Sequence, residues 1–379
     1  MKILIDARLY GVKTAKGLGR YLAEVVTGLE TQDLANIYTI LLYPDNWDEM
    51  AETARFKRIL APWRWYSLAE QFYLPGLIRR QKPDLAHFPH FNAPLFYRGP
   101  FVVTIHDLIL RRHHSRRAST RGAAAFWLKR ILYLWTIGSA IRRAKKIITV
   151  SQFTKDEILR FYPVAPEKIE VIYNGLAALG GDLGDENSDK NALLRYNINK
   201  PFLLCVGNAY PHKNLEKLLA AFREIQKTWD GQLVLVGGSD YFQERLKAGL
   251  ENFGLNKDSV LFPGQLSDSD LAGLYRAAAL YVFPSLYEGF GLPGLEAMSC
   301  GLPVACSDIP CFREIYGAAA EYFNPAVVGD ITRTIKALLA NPARQAELRR
   351  LGREQVKKYS WAESVKRHLA VYREVGKRI

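Results

Sequence analysis

Cysteine is scarce in this chain, and no two cysteines have the spacing of a metal site. The four cysteines, Cys205, Cys300, Cys306 and Cys311, are scattered over 379 residues without a C-x2-C pair. Neither a structural zinc site nor a disulfide scaffold is therefore predicted. So few cysteines in so long a chain favour a reducing cytosol. Cys205 lies in an apolar stretch and is expected in the core.

Long hydrophobic runs are missing as well. Hydrophobic residues make up 49% of the chain, yet no run reaches the roughly eighteen apolar residues that predict a transmembrane helix. The first residues, 1–6, are predicted as a strand rather than a signal peptide, because Asp6 interrupts the apolar run too early. We expect a cytoplasmic protein.

Acidic residues are few compared with basic ones. The chain has 38 Asp and Glu against 52 Lys and Arg, a net charge of +14 and a pI of about 9.5, which favours acidic partners such as nucleotide diphosphates, anionic lipid or nucleic acid. The segment from Arg111 to Lys146 contains no Asp or Glu, and aromatic residues interleave its many basic ones. A basic face beside an aromatic face is typical of a helix lying on an anionic membrane. An ordinary domain helix with a basic rim is the alternative.

Short apolar runs alternate regularly with helical patterns. Continuous apolar strands separated by helices predict parallel sheets covered on both faces. Two series of strands predict an α/β protein with two doubly wound Rossmann-like domains, residues 1–180 and 181–358, and a final helix over residues 359–379. A linker and loop are expected from Leu176 to Lys200, which has several glycines and no periodicity. The predicted strands are Lys2–Asp6, Thr39–Tyr43, Asp84–Phe88, Phe101–His106, Lys146–Val150, Glu170–Tyr173, Phe202–Gly207, Gln232–Val236, Val260–Phe262, Leu280–Phe283, Pro303–Ser307 and Ala320–Phe323.

The most informative segment runs from residue 287 to residue 297. Glu288 and Glu296 lie eight positions apart, with three glycines and Pro293 between them. A buried strand is predicted before this segment and a helix at its end. The free N–H groups at a helix start bind phosphate oxygens. The pattern therefore predicts a site for a phosphorylated sugar nucleotide, with Glu296 on ribose hydroxyls and Glu288 near a sugar or a developing positive charge. The alternative is a glycine-rich connection with two solvated glutamates.

This segment resembles the E-x7-E signature of the family-4 retaining glycosyltransferases (glycosyl transferases group 1), which have the GT-B fold. Asn208 and His212 stand where relatives commonly carry arginine, which leaves open which cation completes the phosphate clamp. Further motifs extend the resemblance over nearly the whole chain: Gly17-Leu18-Gly19-Arg20-Tyr21, Thr104-Ile105-His106-Asp107, Val150-Ser151-Gln152-Phe153-Thr154, Val171-Ile172-Tyr173-Asn174-Gly175 and Pro211-His212-Lys213-Asn214-Leu215.

The resemblance implies an N-terminal acceptor-side domain, a C-terminal nucleotide-sugar-binding domain, a ligand cleft between them and a final helix that crosses back onto the N-terminal domain. It implies retaining transfer of a hexose from a UDP-glucose or GDP-mannose type of donor to a polysaccharide or lipid-linked saccharide. No metal or other cofactor is expected. In this family the leaving phosphate is thought to accept the acceptor's proton, so no protein base is required.

Three catalytic residues are expected from the resemblance. Lys213 would stabilise the leaving diphosphate, Glu288 would lie near the donor sugar, and His106 would bind a sugar hydroxyl or a phosphate, with Asp107 fixing its tautomer. The glycine pair is expected to precede a helix starting near Arg20, and the Gly264-Gln265-Leu266 turn is expected to meet the nucleobase. The donor-binding candidates are Glu296, Gly289, Phe290, Gly291, Leu292, Asn208, Gly17, Gly19, Gly264 and Leu266.

Several features keep two interpretations. His87 and His90 suit packing or an acceptor contact equally. The sequence Asp268-Ser269-Asp270 looks like the D-x-D metal motif of another glycosyltransferase class, but it precedes a helical pattern, so Ser267 or Asp268 is expected to be an N-cap.

Two other functions compete with glycosyl transfer. One is a GT-B sugar-nucleotide epimerase. The other is a nucleic-acid-binding protein, which charge alone suggests, although the basic residues cluster in one segment and no recognised reader module is visible.

Overall fold

The computed structural model describes residues 1–112, 123–177 and 186–377, and these residues form two compact units. The first unit takes in residues 1–112, 123–175 and 360–377, and the second takes in residues 176–177 and 186–359. Each unit is an open parallel sheet covered by helices, which confirms the predicted α/β class. No helix in the described ranges is both long enough and apolar enough to span a membrane.

The first unit is built on a seven-stranded sheet with the order β3-β2-β1-β4-β5-β6-β7, in which all neighbouring strands pair in parallel. Strands β4 and β5 are buried along their whole length, because helices cover both faces of the sheet. The strands are β1 Lys2–Asp6, β2 Ile37–Leu42, β3 Phe56–Leu60, β4 Leu85–Phe88, β5 Phe101–Ile105, β6 Lys146–Thr149 and β7 Ile169–Val171; the helices before residue 177 are α1 Val12–Gln32, α2 Leu68–Gln81, α3 Ile109–Arg112, α4 Ala123–Arg143 and α5 Gln152–Phe161.

The second unit has a six-stranded parallel sheet with the order β10-β9-β8-β11-β12-β13. Its strands are β8 Phe202–Val206, β9 Gln232–Val236, β10 Val260–Gly264, β11 Leu280–Phe283, β12 Val304–Ser307 and β13 Ala320–Phe323. Its helices are α6 Glu186–Arg195, α7 Leu215–Gln226, α8 Tyr241–Ala248, α9 Asp268–Ala277, α10 Leu292–Ser299, α11 Pro310–Tyr316, α12 Val328–Leu339 and α13 Pro342–Val356, and the last helix of the chain, α14 Trp361–Gly376, belongs to the first unit.

Both sheets reverse their strand order at one point. In the first unit the chain builds outward from β1 to β2 and β3 and then adds β4 on the other side of β1. In the second unit the same reversal falls between β8 and β11. The loops after the two central strands diverge at such a point, which leaves a crevice at the carboxyl ends of the strands where ligands bind in open α/β sheets.

All twelve predicted strands are present, and β3 is the strand that the sequence pattern misses. Strand β3 lies at the edge of the sheet and pairs only with β2. Its first residue, Phe56, is buried and stacks on Tyr38 with ring centroids 4.5 Å apart. The rest of the strand carries Lys57 and Arg58 and is half-exposed. An edge strand needs less apolar surface than a central one. A continuous apolar run, the pattern that predicts the other strands, is therefore absent from β3.

The expected start of the first helix is wrong. Helix α1 begins at Val12 rather than near Arg20, so Gly17 and Gly19 lie inside a helix and not in a loop before it. A side chain at Gly19 would overlap the carbonyl oxygen of Gly11, so this glycine permits the close approach of helix and preceding turn. Glycine disfavours a helix interior by about 1 kcal/mol. Packing of the buried face of α1 outweighs that cost.

The predicted linker from Leu176 to Lys200 also needs correction, because helix α6 occupies part of it. This helix is held by polar contacts to α9. Arg276 donates to both carboxylate oxygens of Asp189, at 2.8 and 2.5 Å, and Arg195 pairs with Asp270 at 2.8 Å. Few of its residues are apolar and buried, so its helical period is weak in the sequence.

Helix α14 packs on α1 and β4 within the first unit. A chain of buried hydrogen bonds crosses this contact. Tyr21 Oη lies 2.9 Å from Nε2 of His368 and 3.2 Å from Oγ1 of Thr104, Thr104 Oγ1 lies 2.9 Å from Nε2 of His87, and His87 Nδ1 lies 2.7 Å from Tyr372 Oη. Both ring nitrogens of His87 therefore have hydrogen-bond partners inside the first unit. This favours packing over a contact with the acceptor.

Candidate active site

Lys213 and Glu288 form an ion pair at the strand-order reversal of the second unit. Lys213 ends a short 3-10 turn, Pro211–Lys213, after β8, and Glu288 lies on the loop after β11. Since β8 and β11 are parallel neighbours, both loops leave the same edge of the sheet. Nζ of Lys213 lies 2.6 Å from Oε1 of Glu288, and the two side chains are 18% and 14% exposed. A cation and a carboxylate are therefore held together in a mostly buried place that a ligand can still reach.

Side-chain and backbone hydrogen bonds hold the two loops that carry this pair. Asn214 follows Lys213 with φ of 59°, a left-handed conformation that asparagine tolerates. Its side-chain amide donates to the carbonyls of Pro284 and Pro325, at 3.1 and 2.9 Å. The N–H of Leu286 donates to the carbonyl of His212 at 2.7 Å. The position of Lys213 relative to the β11 loop is therefore fixed on both sides.

The glycine-rich turn after Glu288 leads into helix α10, as predicted. Gly291 caps the helix with φ of 99°, which favours glycine, and Pro293 lies in the first turn. The hydroxyl of Tyr316 donates to the carbonyl of Gly291 at 2.5 Å. A side chain at Gly291 or Gly294 would overlap that hydroxyl. The glycines are therefore required by Tyr316, and the first N–H groups of α10 have no acceptor within the helix other than at its first turn.

An aromatic stack connects this turn to Lys213. The ring of Tyr316 lies 5.0 Å from that of Phe312, and Phe312 lies 4.7 Å from Phe283, between ring centroids. Nζ of Lys213 lies 5.3 Å from the centroid of Phe283, within cation–π distance. The stack therefore contacts both phosphate-binding candidates, Lys213 through Phe283 and the start of α10 through Tyr316. The sequence pattern does not single out Phe312 or Tyr316, because their roles arise from contacts between distant segments.

Glu296 lies one turn inside α10 and is 8% exposed. The hydroxyl of Tyr275 donates to its Oε2 at 3.2 Å. Burial and the neighbouring Glu296 carboxylate hold the pKa of Tyr275 well above its ordinary value, so the phenol stays protonated and remains a donor. The carboxylate is thereby oriented from the core side.

The other donor-binding candidates of this unit lie at the carboxyl ends of its strands. Phe290 is buried, its ring makes an edge contact with Tyr359 at 5.5 Å, and its carbonyl accepts from the Cys311 thiol at 3.5 Å. Gly264 ends β10 with φ of 81° and its carbonyl accepts from the N–H of Gly237 at 3.1 Å. The remaining candidates, all partly exposed, are Asn208 after β8, Gly289 and Leu292 beside Glu288, and Leu266 after β10.

Two family models divide the chain between them. The model described as glycosyl transferases group 1 matches residues 188–355, and the model described as Glycosyltransferase Family 4 matches residues 15–177. The chain belongs to the family-4 glycosyltransferases.

Curated relatives agree with this family, and solved structures agree with its fold. The chain is 30% identical over 278 residues to the serotype-specific mannosyltransferase WbdA of Escherichia coli, a match over 71% of this chain and 32% of that protein, so it spans about a third of that relative's length. It is 29% identical over 290 residues to the O-antigen chain mannosyltransferase RfbU of Salmonella typhimurium, over 76% and 73% of the two chains. The sucrose-phosphate synthase structure from Thermosynechococcus elongatus superposes with a TM-score of 0.77 at 22% identity, over 100% and 99% of the chains. The fold is therefore GT-B.

In the first unit of this glycosyltransferase, His106 lies at the end of β5. Its Nε2 donates to the carbonyl of Pro89 at 2.8 Å, and Tyr21 makes an edge contact with its ring at 4.7 Å. The carbonyl can only accept, so it fixes the tautomer, a role that the sequence suggested for Asp107. Oδ1 of Asp107 accepts from the N–H of Ile109 at 2.9 Å. Burial lowers the pKa of His106 to about 4, opposed by the bond to Pro89, so the imidazole is neutral at pH 7.

The glycine pair of the first unit differs in its two members. Gly17 is exposed, and a side chain there would meet nothing within 4 Å. Gly19 is buried against the turn at Gly11, as described above. Of the two, only Gly17 presents open surface to a ligand in this conformation.

The D-x-D look-alike is a helix start. Ser267 caps α9 by accepting from the N–H of Asp270 at 3.1 Å, and Asp270 Oδ2 accepts from Tyr196 and Arg195, each at 2.8 Å. Within the described ranges, no group of three or more His, Cys, Asp and Glu side chains is placed to hold a metal ion.

The basic aromatic segment forms helix α4, although residues 113–122, with Arg116, Arg117 and Arg121, lie outside the described residues. The helix buries one apolar face, with Ile137, Ala140 and Ile141 in the core of the first unit. On another face, Trp127, Ile131 and Trp135 are 44, 60 and 54% exposed. Their spacing of four residues makes an apolar stripe along the helix. The alternative of an ordinary domain helix therefore explains the buried face of α4 but not its exposed apolar stripe.

Proposed function

We propose that the protein transfers a hexose from a nucleoside diphosphate sugar to a saccharide acceptor, with retention of configuration. The observation that carries the proposal is the convergence of Lys213 and Glu288 beside the start of α10, at the point where the second sheet reverses its strand order. A cation, a helix start and a carboxylate are the groups that a diphosphate sugar requires.

We place the donor on the second unit. Its diphosphate oxygens accept from the N–H groups at the start of α10 near Leu292 and from the ammonium of Lys213. Its ribose hydroxyls bind Glu296, which Tyr275 orients. Its base lies toward Gly264 and Leu266 after β10. The first unit then supplies the acceptor side, with His106 as a neutral hydrogen-bonding group.

In the transfer step, the bond between the anomeric carbon and the diphosphate oxygen breaks while the acceptor oxygen bonds to the same face of the sugar. Lys213 and the N–H groups of α10 stabilise the charge that develops on the leaving diphosphate. The Glu288 carboxylate stabilises the positive charge on the sugar ring. The leaving phosphate takes the proton of the acceptor hydroxyl, so charge and protons balance without a metal ion or a protein base.

The relatives guide the choice of sugar. WbdA and RfbU are both named mannosyltransferases, which favours a GDP-mannose type of donor over a UDP-glucose type. An O-antigen chain, as in the name of RfbU, favours a polysaccharide or lipid-linked saccharide as the acceptor.

We further propose that the enzyme works at the cytoplasmic face of an anionic membrane. The exposed stripe Trp127, Ile131 and Trp135 lies on α4, and Arg142 and Lys145 near its end are exposed. Aromatic residues bury into the headgroup region, and basic residues bind anionic lipid at close range. A lipid-linked acceptor would be presented at that surface.

The proposal is tested by thermal denaturation of the purified protein with GDP-mannose, UDP-glucose, UDP-N-acetylglucosamine, GDP and UDP, each with EDTA. A ligand that binds only the folded protein raises its melting temperature, by an amount equivalent to about 2.7 kcal/mol at a hundred times its dissociation constant. We expect a shift from one base series in the presence of EDTA. The absence of a shift with every nucleotide would overturn the proposal.

Product analysis separates the two other functions. A glycosyltransferase releases GDP or UDP in step with a new glycosidic bond, whereas an epimerase changes the sugar without a saccharide acceptor. Duplex DNA binding that weakens steeply with salt, unaffected by nucleotide sugars, would favour the nucleic-acid function instead.

A further inference from the structure

The first unit contains a polar hollow at its own strand-order reversal, between the carboxyl ends of β1 and β4. Asp6 and Arg8 come from the end of β1, and His90 and Asn92 come from the loop after β4. Trp65, from the loop before α2, closes one side. The hollow occupies the same topological position in its sheet as the Lys213–Glu288 site in the second sheet, where a ligand is expected.

A buried charge network forms the base of the hollow. Arg8 is 3% exposed and donates to both oxygens of Asp6 at 2.7 Å, to the carbonyl of Trp63 at 2.9 Å and to Glu70 at 2.5 Å. Glu70 is fully buried, and the amide of Asn92 donates to both of its oxygens, at 2.7 and 2.8 Å. Burying these groups costs free energy unless each is paired. The network therefore holds Arg8 and Asn92 in fixed positions beneath the hollow.

An aromatic rim with an unusual backbone stands beside this base. Tyr66 has φ of 62°, a conformation that a bulky side chain rarely adopts. Its N–H donates to Oε2 of Glu70 at 2.8 Å, and its hydroxyl lies 3.3 Å from Nδ1 of His90. The residue as a whole is 57% exposed. Strained residues that surrounding contacts hold in place are typical of ligand sites.

The charge of the hollow decides what class of ligand it suits. With both carboxylates ionised, Asp6 and Glu70 beside the single guanidinium of Arg8 give a charge of −1. Burial raises the pKa of Glu70, opposed by Arg8, and a proton on Glu70 would bring the charge only to zero. Burial also lowers the pKa of His90 to about 3, so His90 adds no positive charge at pH 7. The hollow therefore does not attract phosphate or carboxylate groups. It differs in this from the chain as a whole, whose net charge is +14.

We propose that this hollow binds an uncharged pyranose of the acceptor saccharide. The Asp6 carboxylate and the Asn92 amide, which both line the hollow, exchange hydrogen bonds with sugar hydroxyls. The half-buried ring of Trp65 offers an apolar surface to the C–H face of the sugar. This inference rests on the proposed glycosyl transfer. It adds that the sugar next to the transfer point carries no acidic group.

Binding to the full-length protein is measured by saturation-transfer difference NMR with methyl α-D-mannopyranoside, methyl α-D-glucopyranoside and methyl α-D-glucuronide. A neutral glycoside should show saturation transfer and the glucuronide should not. Trp65→Leu should reduce the signal at least five-fold. Trp47→Leu is the matched control, because Trp47 is a half-buried tryptophan of the same unit that packs under Arg58, 4.4 Å from its guanidinium carbon.

His90→Asn provides a second variant in case Trp65→Leu does not fold, which circular dichroism and the melting temperature reveal. It should weaken neutral glycoside binding without changing the melting-temperature shift given by nucleotide sugars. Equal signals from the glucuronide and a neutral glycoside, no signal from any glycoside, or unchanged signals in both variants would overturn the inference. The melting-temperature measurement with nucleotide sugars distinguishes failure of this inference from failure of the proposed function. If nucleotide sugars raise the melting temperature but no glycoside binds, only the inference about the hollow is overturned.

Discussion

The ammonium nitrogen of Lys213 lies 2.6 Å from a carboxylate oxygen of Glu288, although 75 residues separate the two in the sequence. The pair is mostly buried, and the ring of Phe283 lies beneath the ammonium. A donor diphosphate that binds Lys213 must therefore compete with Glu288 for the same cation. The same competition would release the carboxylate toward the sugar.

Glu288→Gln should tighten binding of GDP or UDP and slow transfer. Removal of the carboxylate frees the cation for the diphosphate. An ion pair that is mostly but not fully buried is worth about 1 kcal/mol, or roughly five-fold in dissociation constant. The transfer rate should fall about 100-fold or more because the charge facing the sugar is lost. Titration calorimetry and initial rates measure the two effects, and Lys213→Met should weaken binding and slow transfer together.

The exposed pair Lys200–Asp230, also at 2.6 Å in the second unit, is the matched control. Asp230→Asn should change neither quantity. If Glu288→Gln behaved in the same way, the pair would have no part in donor binding.

Tyr316→Phe should weaken nucleotide binding without unfolding the protein. The change removes the hydroxyl that holds the Gly291 carbonyl and should cost about 1–2 kcal/mol of stability. Looser geometry at the start of α10 should raise the dissociation constant of the nucleotide several-fold.

Tyr322→Phe is the control for this variant, since the hydroxyl of Tyr322 also donates to backbone carbonyls of the same region, those of Phe312 and Gly317. It should lower stability to a similar extent and leave nucleotide affinity unchanged. Equal losses of affinity in both variants would show a general packing effect instead of a positioning role for Tyr316.

Glu296→Ala should mainly weaken donor binding, by about ten-fold or more, with a smaller effect on the rate at saturating donor. A lost charge-assisted hydrogen bond to a ribose hydroxyl is worth about 1.5–3 kcal/mol. Tyr275→Phe keeps the carboxylate and removes the hydroxyl that orients it, so it should give a weaker loss in the same direction. Steady-state kinetics with varied donor distinguish a rise in KM from a fall in kcat, and wild-type donor affinity in Glu296→Ala would refute the ribose assignment.

Stability should fall as the pH drops below about 6.5. Burial lowers the pKa of His368 to about 4, opposed by its bond to the Ser364 carbonyl, and lowers that of His87 well below the ordinary value. In the unfolded chain both titrate near 6.5. Between these values the unfolded state binds protons that the folded state does not, so each histidine removes about 1.4 kcal/mol per pH unit on the way down.

Urea denaturation at pH 7, 6 and 5 measures this slope. His368→Gln should reduce the slope of unfolding free energy against pH by about 1.4 kcal/mol per pH unit, the contribution of one proton. The variant is also expected to be less stable than the wild type at pH 7. A slope equal to that of the wild type would show that His368 does not remain neutral in the folded protein.

Trp127→Ser combined with Trp135→Ser should release the protein from vesicles that contain about 30% anionic phosphatidylglycerol. Each substitution removes an exposed aromatic ring whose apolar area would otherwise enter the headgroup region. Leu194→Ser, a 74% exposed leucine of the second unit, is the control and should bind as the wild type does. Cosedimentation measures both, and equal binding of all three proteins would remove α4 from the membrane proposal.

The sequence by itself determined most of the secondary elements and the class of fold. Continuous apolar runs are sufficient evidence for central strands, because burial on both faces of a parallel sheet demands them. The turn from Glu288 to Leu292 also carries a local signal, since glycines favour a turn over a helix or strand and proline is favoured in the first turn of a helix. Where the local signal was weak, prediction failed: the polar edge strand β3, the ion-paired helix α6 and the early start of α1 all depend on neighbours distant in the chain.

Only the tertiary structure decided which side chains meet. Lys213 and Glu288 were separate candidates until the adjacency of β8 and β11 joined them, and Tyr316 carried no signal at all before its hydroxyl was placed on Gly291. Arg8 and Glu70 look like ordinary charged residues in the sequence, 62 positions apart. Strand order is set by packing of whole elements, and contacts of this kind follow from strand order, so no local pattern can specify them.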